Sequence, residues 1–146
     1  MSSVPKSKRK RSDLELSVKA NELSAYTIRI CSNENNFPKR YRWCITSKIV
    51  DTVIDVNRFI DLANAIHVEK RKDAKMRRKY QIKAQAHIRS LLTLMNIAYC
   101  LFDIDEKRID YWTGMVVSIQ TLLQNWKKSD KQRNIAKFGI KKQTKG

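Results

Sequence analysis

Residues 84–126 read AQAHIRSLLTLMNIAYCLFDIDEKRIDYWTGMVVSIQTLLQNW, and two runs within them decide the fold. In the first, Ala84, Ile88, Leu91, Met95, Ala98 and Phe102 recur at steps of four and three. In the second, Ile109, Trp112, Val116, Ile119, Leu123 and Trp126 recur at three and four. Alternating threes and fours place every member on one stripe of an α-helix. Only Asp103-Ile104-Asp105-Glu106 separates the runs, with Asp103 read as N-cap and Glu106 three residues on, as in a capping box. So short a connection makes the two helices antiparallel neighbours. The centre of the chain is therefore expected to be an αα-hairpin with a coiled-coil-like seam.

The same period extends outward on both sides. Leu16, Ala20, Leu23, Thr27 and Ile30 predict a first helix with Ser12 or Asp13 as its N-cap, ending before the polar run 32–36. Pro38 suits the first turn of a second helix running to about His67, its stripe formed by Tyr41, Ile45, Ile49, Thr52 or Val53, Val56, Ile60 and Ala63. Trp43, Val50 and Ile54 are expected to widen that stripe, while Ser47, Asp51, Asp55 and Arg58 mark the wet side, with Asp55 and Arg58 close enough to pair. Leu94, Ile97 and Leu101 give the third helix a second apolar line. Gly114, inside the fourth, costs about 1 kcal/mol against alanine, so either another backbone approaches there or the glycine is a local flaw. The expected architecture is all-α: an antiparallel up-down four-helix bundle over residues 13–127, flanked by a disordered basic arm, 1–12, and a basic, mostly mobile tail, 128–146.

Composition agrees with long helices. Among 146 residues there are 3 glycines and 2 prolines, too few to turn a many-stranded sheet, while 42% hydrophobic content supports a core. No apolar run approaches the roughly 20 residues a bilayer crossing needs, and no signal-peptide core is evident. A cytoplasmic protein without membrane contact is expected. Cys31, Cys44 and Cys100 form no C-x-x-C pair and read as reduced, buried thiols; His67 and His87 lie far from them and from each other, so no metal or other cofactor is expected. Catalysis finds little footing, for there is no glycine-rich phosphate loop, no G-x-S-x-G and no H-E-x-x-H. The five tyrosines sit mostly at core spacing, where packing accounts for them better than base stacking.

Charge is the strongest functional signal. Lysine and arginine number 31 against 14 acids, a formal +17, and the excess is clustered. Glu69–Lys79 holds seven bases and two acids, and residues 127–145 hold eight bases and only Asp130. Cations at a helix N-terminus oppose the macrodipole, so a basic cluster opening the third helix more plausibly meets phosphate than merely solubilises. Lys70, Arg71, Lys72, Lys75, Arg77, Arg78, Lys79 and Lys83 are the expected phosphate contacts. Arg40 and Arg42 start the second helix about 40 Å from its end at 1.5 Å per residue, and with the helix-four tail they are expected to form a second, weaker patch.

Phe37-Pro38-Lys39, Arg78-Lys79-Tyr80-Gln81 with Ala84, Tyr111-Trp112 and Asn125-Trp126-Lys127-Lys128-Ser129-Asp130 open or close these helices. Over roughly residues 14–130 the chain resembles the small bacterial four-helix-bundle proteins that include the accessory variability determinant (Avd) of diversity-generating retroelements, with relatives encoded in intervening sequences of large-subunit ribosomal RNA. The resemblance implies a homopentamer of up-down bundles, shaped as a tapering barrel. It also implies a non-catalytic partner of a reverse transcriptase that binds the enzyme and RNA or RNA–cDNA while mutagenic cDNA is made. Two other readings stand beside it: a scaffold whose charge meets an acidic protein, and a stand-alone bundle of the ribosomal-intervening type.

Overall fold

The computed structural model describes residues 4–139, with side chains from residue 15 onward. It contains four helices, α1 Val4–Cys31, α2 Ser47–Ala65, α3 Arg71–Leu101 and α4 Glu106–Phe138, and no strand occurs among the described residues. A 3-10 turn, Lys39–Tyr41, and a π-helical turn, Arg42–Thr46, lead into α2. The protein is all-α, its four helices sharing one apolar core as in a four-helix bundle.

Both seams are buried along their whole length. Ala84, Ile88, Leu91, Met95 and Ala98 from α3, with Phe102 just past its end, meet Ile109, Trp112, Val116, Ile119, Leu123 and Trp126 from α4. Leu16, Ala20, Leu23, Thr27 and Ile30 bring in α1, and Ile49, Val53, Val56, Ile60 and Ala63 bring in α2. Thr27, a polar residue on an otherwise apolar stripe, is buried because its Oγ1 accepts the Trp112 Nε1–H at 3.0 Å. Without that partner the indole N–H would be stranded, at a cost of about 1–3 kcal/mol.

Each helix packs on two neighbours: α1 on α2 and α4, and α3 on α2 and α4. Asn57 of α2 donates to Asn21 and Ser24 of α1 at 2.9 and 3.1 Å. Phe59 of α2 stacks on Tyr80 of α3 with centroids 6.2 Å apart. At one end of the molecule Phe37 and Tyr41 lie against Phe102, and Phe37 against Trp112. At the other, Arg71 donates to the Phe138 carbonyl and Lys137 to the Val68 carbonyl, both at 2.9 Å. The start of α3 thus meets the end of α4.

Several expectations need correction. The first helix begins at Val4, so 4–12, expected as a disordered arm, lies in α1; Pro5 falls in the first turn, where no amide is missed, and lysine and arginine are good helix formers. Residues 1–3 lie outside the described residues. The fourth helix does not stop at Trp126 but runs to Phe138, ending at Gly139 in the left-handed conformation (φ 62°). Helical structure therefore extends past the 127/128 boundary, and only 140–146 of the expected mobile tail lie outside the described residues.

The second helix is regular only from Ser47, and Trp43 does not widen its stripe: it is 78% exposed. Residues two apart cannot share a helix face, and Ile45 holds the core position. Ile54 is also exposed at 38%, whereas Val50 packs on the core and Asp55 pairs with Arg58 at 2.9 Å. In the 103–105 connection the N-cap is Asp105, not Asp103, and it makes no side-chain cap bond. Phe102 and Ile104 both turn into the core and leave Asp103 pointing to water. The capping carboxylate of this fold belongs instead to Asp73, which accepts the Lys70 and Glu69 amides at 2.9 and 3.1 Å. Of the cysteines only Cys31 is buried; Cys44 and Cys100 are exposed, and all three are free. Gly114 has nothing within 4 Å of where a Cβ would sit, which makes it the local flaw and not a point of close approach.

Candidate nucleic-acid interface

The end of the molecule where α3 begins and α4 finishes is organised around one carboxylate. Asp130 continues the α4 core stripe by one more step of four from Trp126 and is 3% exposed. It accepts from Arg77 Nη1 at 3.0 Å and Arg133 Nη2 at 2.9 Å, and Gln81 Nε2 lies 3.5 Å away. Arg77 also donates to the Ile66 carbonyl at the end of α2, and its guanidinium lies over the Trp126 ring at 5.9 Å. A charge this enclosed is tolerable only when paired and hydrogen-bonded, which is the arrangement here. The result is a fastening between the α2–α3 connection and the last turns of α4.

Around this node the cationic residues divide into two groups. Arg77 is structural, with its side chain 17% exposed and its donors directed inward. Arg71 is exposed but tied to the Phe138 carbonyl. Lys72, Lys75 and Lys79 recur at steps of three and four on an outward row of α3, all exposed, and Lys70 and Lys83 are exposed as well. Lys83 Nζ lies 5.6 Å from the Phe59 ring centroid. Arg78 is half-buried on the side facing α4, close enough to Lys127 to lower that lysine's pKa. Partial burial of Lys127 is the larger cause and Arg78 repulsion the second, while Lys127 donates to Gln85 Oε1 at 2.7 Å.

Arg40 and Arg42 are exposed at the opposite end of the molecule, with the Arg40 guanidinium 5.4 Å from the Tyr41 ring centroid. Among the described residues, the pairing expected between these arginines and the helix-four tail does not occur. Because α4 continues to Phe138 beside Arg71 and Val68, its basic residues join the 70–83 cluster instead. Lys128 and Lys131, both exposed on α4, therefore add a second cationic row beside the α3 row, and sequence reasoning had not named them as contacts. Asp130 was missed as the organising group, although an acid one step beyond Trp126 on a core stripe was a readable signal.

The distribution is strongly one-sided. Glu34, Asp103, Asp105, Glu106 and Asp110 are all exposed at the end that carries Phe37 and Phe102, where they offset Lys39, Arg40, Arg42, Lys107 and Arg108. Among the described residues no cluster of three or more His, Cys, Asp or Glu could hold a metal ion, and no helix is long and apolar enough to cross a membrane. In comparison with known proteins, no family model matches the chain, and neither a curated protein nor a solved structure shows significant similarity to it.

Proposed function

We propose that this protein is a non-catalytic accessory factor of a diversity-generating retroelement, binding template RNA and the reverse transcriptase to support mutagenic cDNA synthesis. The observation that carries the nucleic-acid part is the convergence of the α3 and α4 lysine rows at one end of the molecule, where exposed bases far outnumber exposed acids such as Glu69. A polyanion meeting that end neutralises repulsion the fold otherwise bears. Lys72, Lys75, Arg78, Lys79, Lys128 and Lys131 are the contacts to phosphate; Arg77 holds the surface in place from beneath. The link to a reverse transcriptase and the pentameric barrel rest on the resemblance to the Avd group, while a cytoplasmic location rests on the sequence showing no signal-peptide core. The contacts between the start of α3 and the end of α4 are those an up-down bundle makes.

A second reading is a stand-alone bundle scaffold of the ribosomal-intervening type, binding RNA non-specifically or a protein partner that is acidic. It is favoured by exposed apolar side chains at the less basic end, including Leu101 at 53% and Tyr111 at 61% exposure. Such residues suit a protein partner or a second copy. Co-purification separates the two. The tagged protein is expressed with its neighbouring genes, bound RNA is sequenced and bound proteins are identified by mass spectrometry. Recovery of a reverse transcriptase with one defined RNA is the expected result. Recovery of only bulk RNA that washes off in moderate salt, or of an acidic protein alone, overturns the retroelement reading.

A further inference from the structure

The form of nucleic acid that suits the basic end depends on where the aromatic rings lie as well as on charge. Proteins that hold unpaired strands combine a cationic track with exposed rings on which bases stack, worth about 1–3 kcal/mol per base. Near the α3–α4 lysine rows the rings are already engaged. Tyr80 is stacked on Phe59, whose own ring also meets His87 and the Lys83 ammonium. Trp126 is buried under Arg77, and Lys137 Nζ lies over Phe138 at 5.7 Å. Residues 1–25 and 139–146 contain no aromatic residue at all. The exposed rings, Trp43, Tyr99 and Tyr111, lie toward the other end, where exposed acids and bases are mixed.

We infer that the basic end takes duplex RNA by its phosphate backbones, and not an unpaired strand by its bases; this rests on the nucleic-acid reading above. Two features match a duplex. The lysine rows of α3 and α4 sit on adjacent helices, whose axes lie about 8–10 Å apart, so two phosphate lines can be met together. A duplex also carries two phosphate lines along one axis, about twice the charge density of one of its strands. With no ring to read a base, recognition depends on backbone shape and charge, as is general for double-stranded RNA.

The test uses the full-length protein with a 20-base-pair RNA duplex and, separately, one unstructured strand of it, followed by fluorescence anisotropy across a salt series. If about five phosphates are neutralised, log K falls with log salt at a slope of about −4.5 for the duplex and about −3.5 for the strand. One unit of slope between 1 M and 0.15 M salt makes the duplex about sevenfold tighter at 0.15 M. Lys75→Ala with Lys79→Ala should reduce the duplex slope by about 1.8, and Trp43→Ala should leave duplex binding unchanged. Equal or tighter binding of the strand, or loss of binding in Trp43→Ala, overturns the duplex inference alone. Failure of both RNAs to bind at low salt overturns the nucleic-acid reading together with it.

Discussion

Asp130→Ala should destabilise the fold by about 3 kcal/mol, far more than any exposed acid could. Loss of one partner from a buried ion pair costs about 3–5 kcal/mol, because the partner stays behind uncompensated. Here the carboxylate side chain is 5% exposed and Arg77 is 17% exposed. Arg77 would keep the Ile66 carbonyl and the Trp126 face, which moves the figure to the low end of that range. Arg133 adds little, since at 38% exposure its pairing is screened by solvent. For a chain of this length, 3 kcal/mol corresponds to a drop in Tm of about 10 °C. The reference is Asp55→Ala, which breaks a pair of 64% and 35% exposed side chains worth about 0.2–1 kcal/mol. Urea unfolding followed by circular dichroism at fixed protein concentration gives both values. Raising salt to 0.5 M should shrink the Asp55 effect and leave the Asp130 effect largely intact, since buried pairs are screened much less. Asp130→Asn, which keeps the volume and one acceptor, should fall between wild type and alanine. An Asp130→Ala loss under about 1 kcal/mol would refute the assignment of this carboxylate as the fastening of the α3–α4 end.

Three further outcomes follow from individual sites. Gly114→Ala should stabilise by about 1 kcal/mol in the same urea assay, because the position is helical and open to 4 Å; a loss would mean something packs there after all. The Lys70 and Glu69 amides hold the Asp73 carboxyl below its ordinary 3.8, so its stabilising contribution is full above that value and disappears as pH falls through the folded-state pKa. Asp73→Ala should therefore lower stability at pH 7 and converge with wild type in strong acid, and a constant offset at every pH would contradict the cap. Burial raises the Cys31 thiol to about 12. A thiol reagent at pH 8 should accordingly label Cys44 and Cys100 in the native protein and reach Cys31 only on unfolding, as peptide mass spectrometry can show.

The α3 and α4 seams were legible because a stripe at alternating threes and fours has only one helical interpretation, and the twelve residues read that way are buried. Trp43 was not. Its apolar character argued for burial, but the 3-10 and π turns after Pro38 set the phase in which Ile45 faces inward. The last three turns of α4 were missed for the opposite reason: their lysines resemble a solvated tail, and what keeps them helical is one buried acid and contacts to residues about seventy positions earlier. Such long-range hydrogen bonds have no local periodicity. The lysines of the candidate interface were visible as a charge run, yet which arginine anchors the fold and which face outward depended on Asp130.

The one-sided charge also governs how the protein would approach a partner. The α3 helix alone is about 46 Å long at 1.5 Å per residue, several times the screening length of about 8 Å in physiological salt. A distant polyanion therefore feels only the nearer end of the molecule. If that end carries the lysine rows the attraction turns the long axis toward the partner before contact; if it carries Glu34 and Asp103 the approach gains almost nothing. Encounter thus orients the molecule, and the far end, with Trp43 and Tyr111 exposed, is left pointing outward for a second binding event.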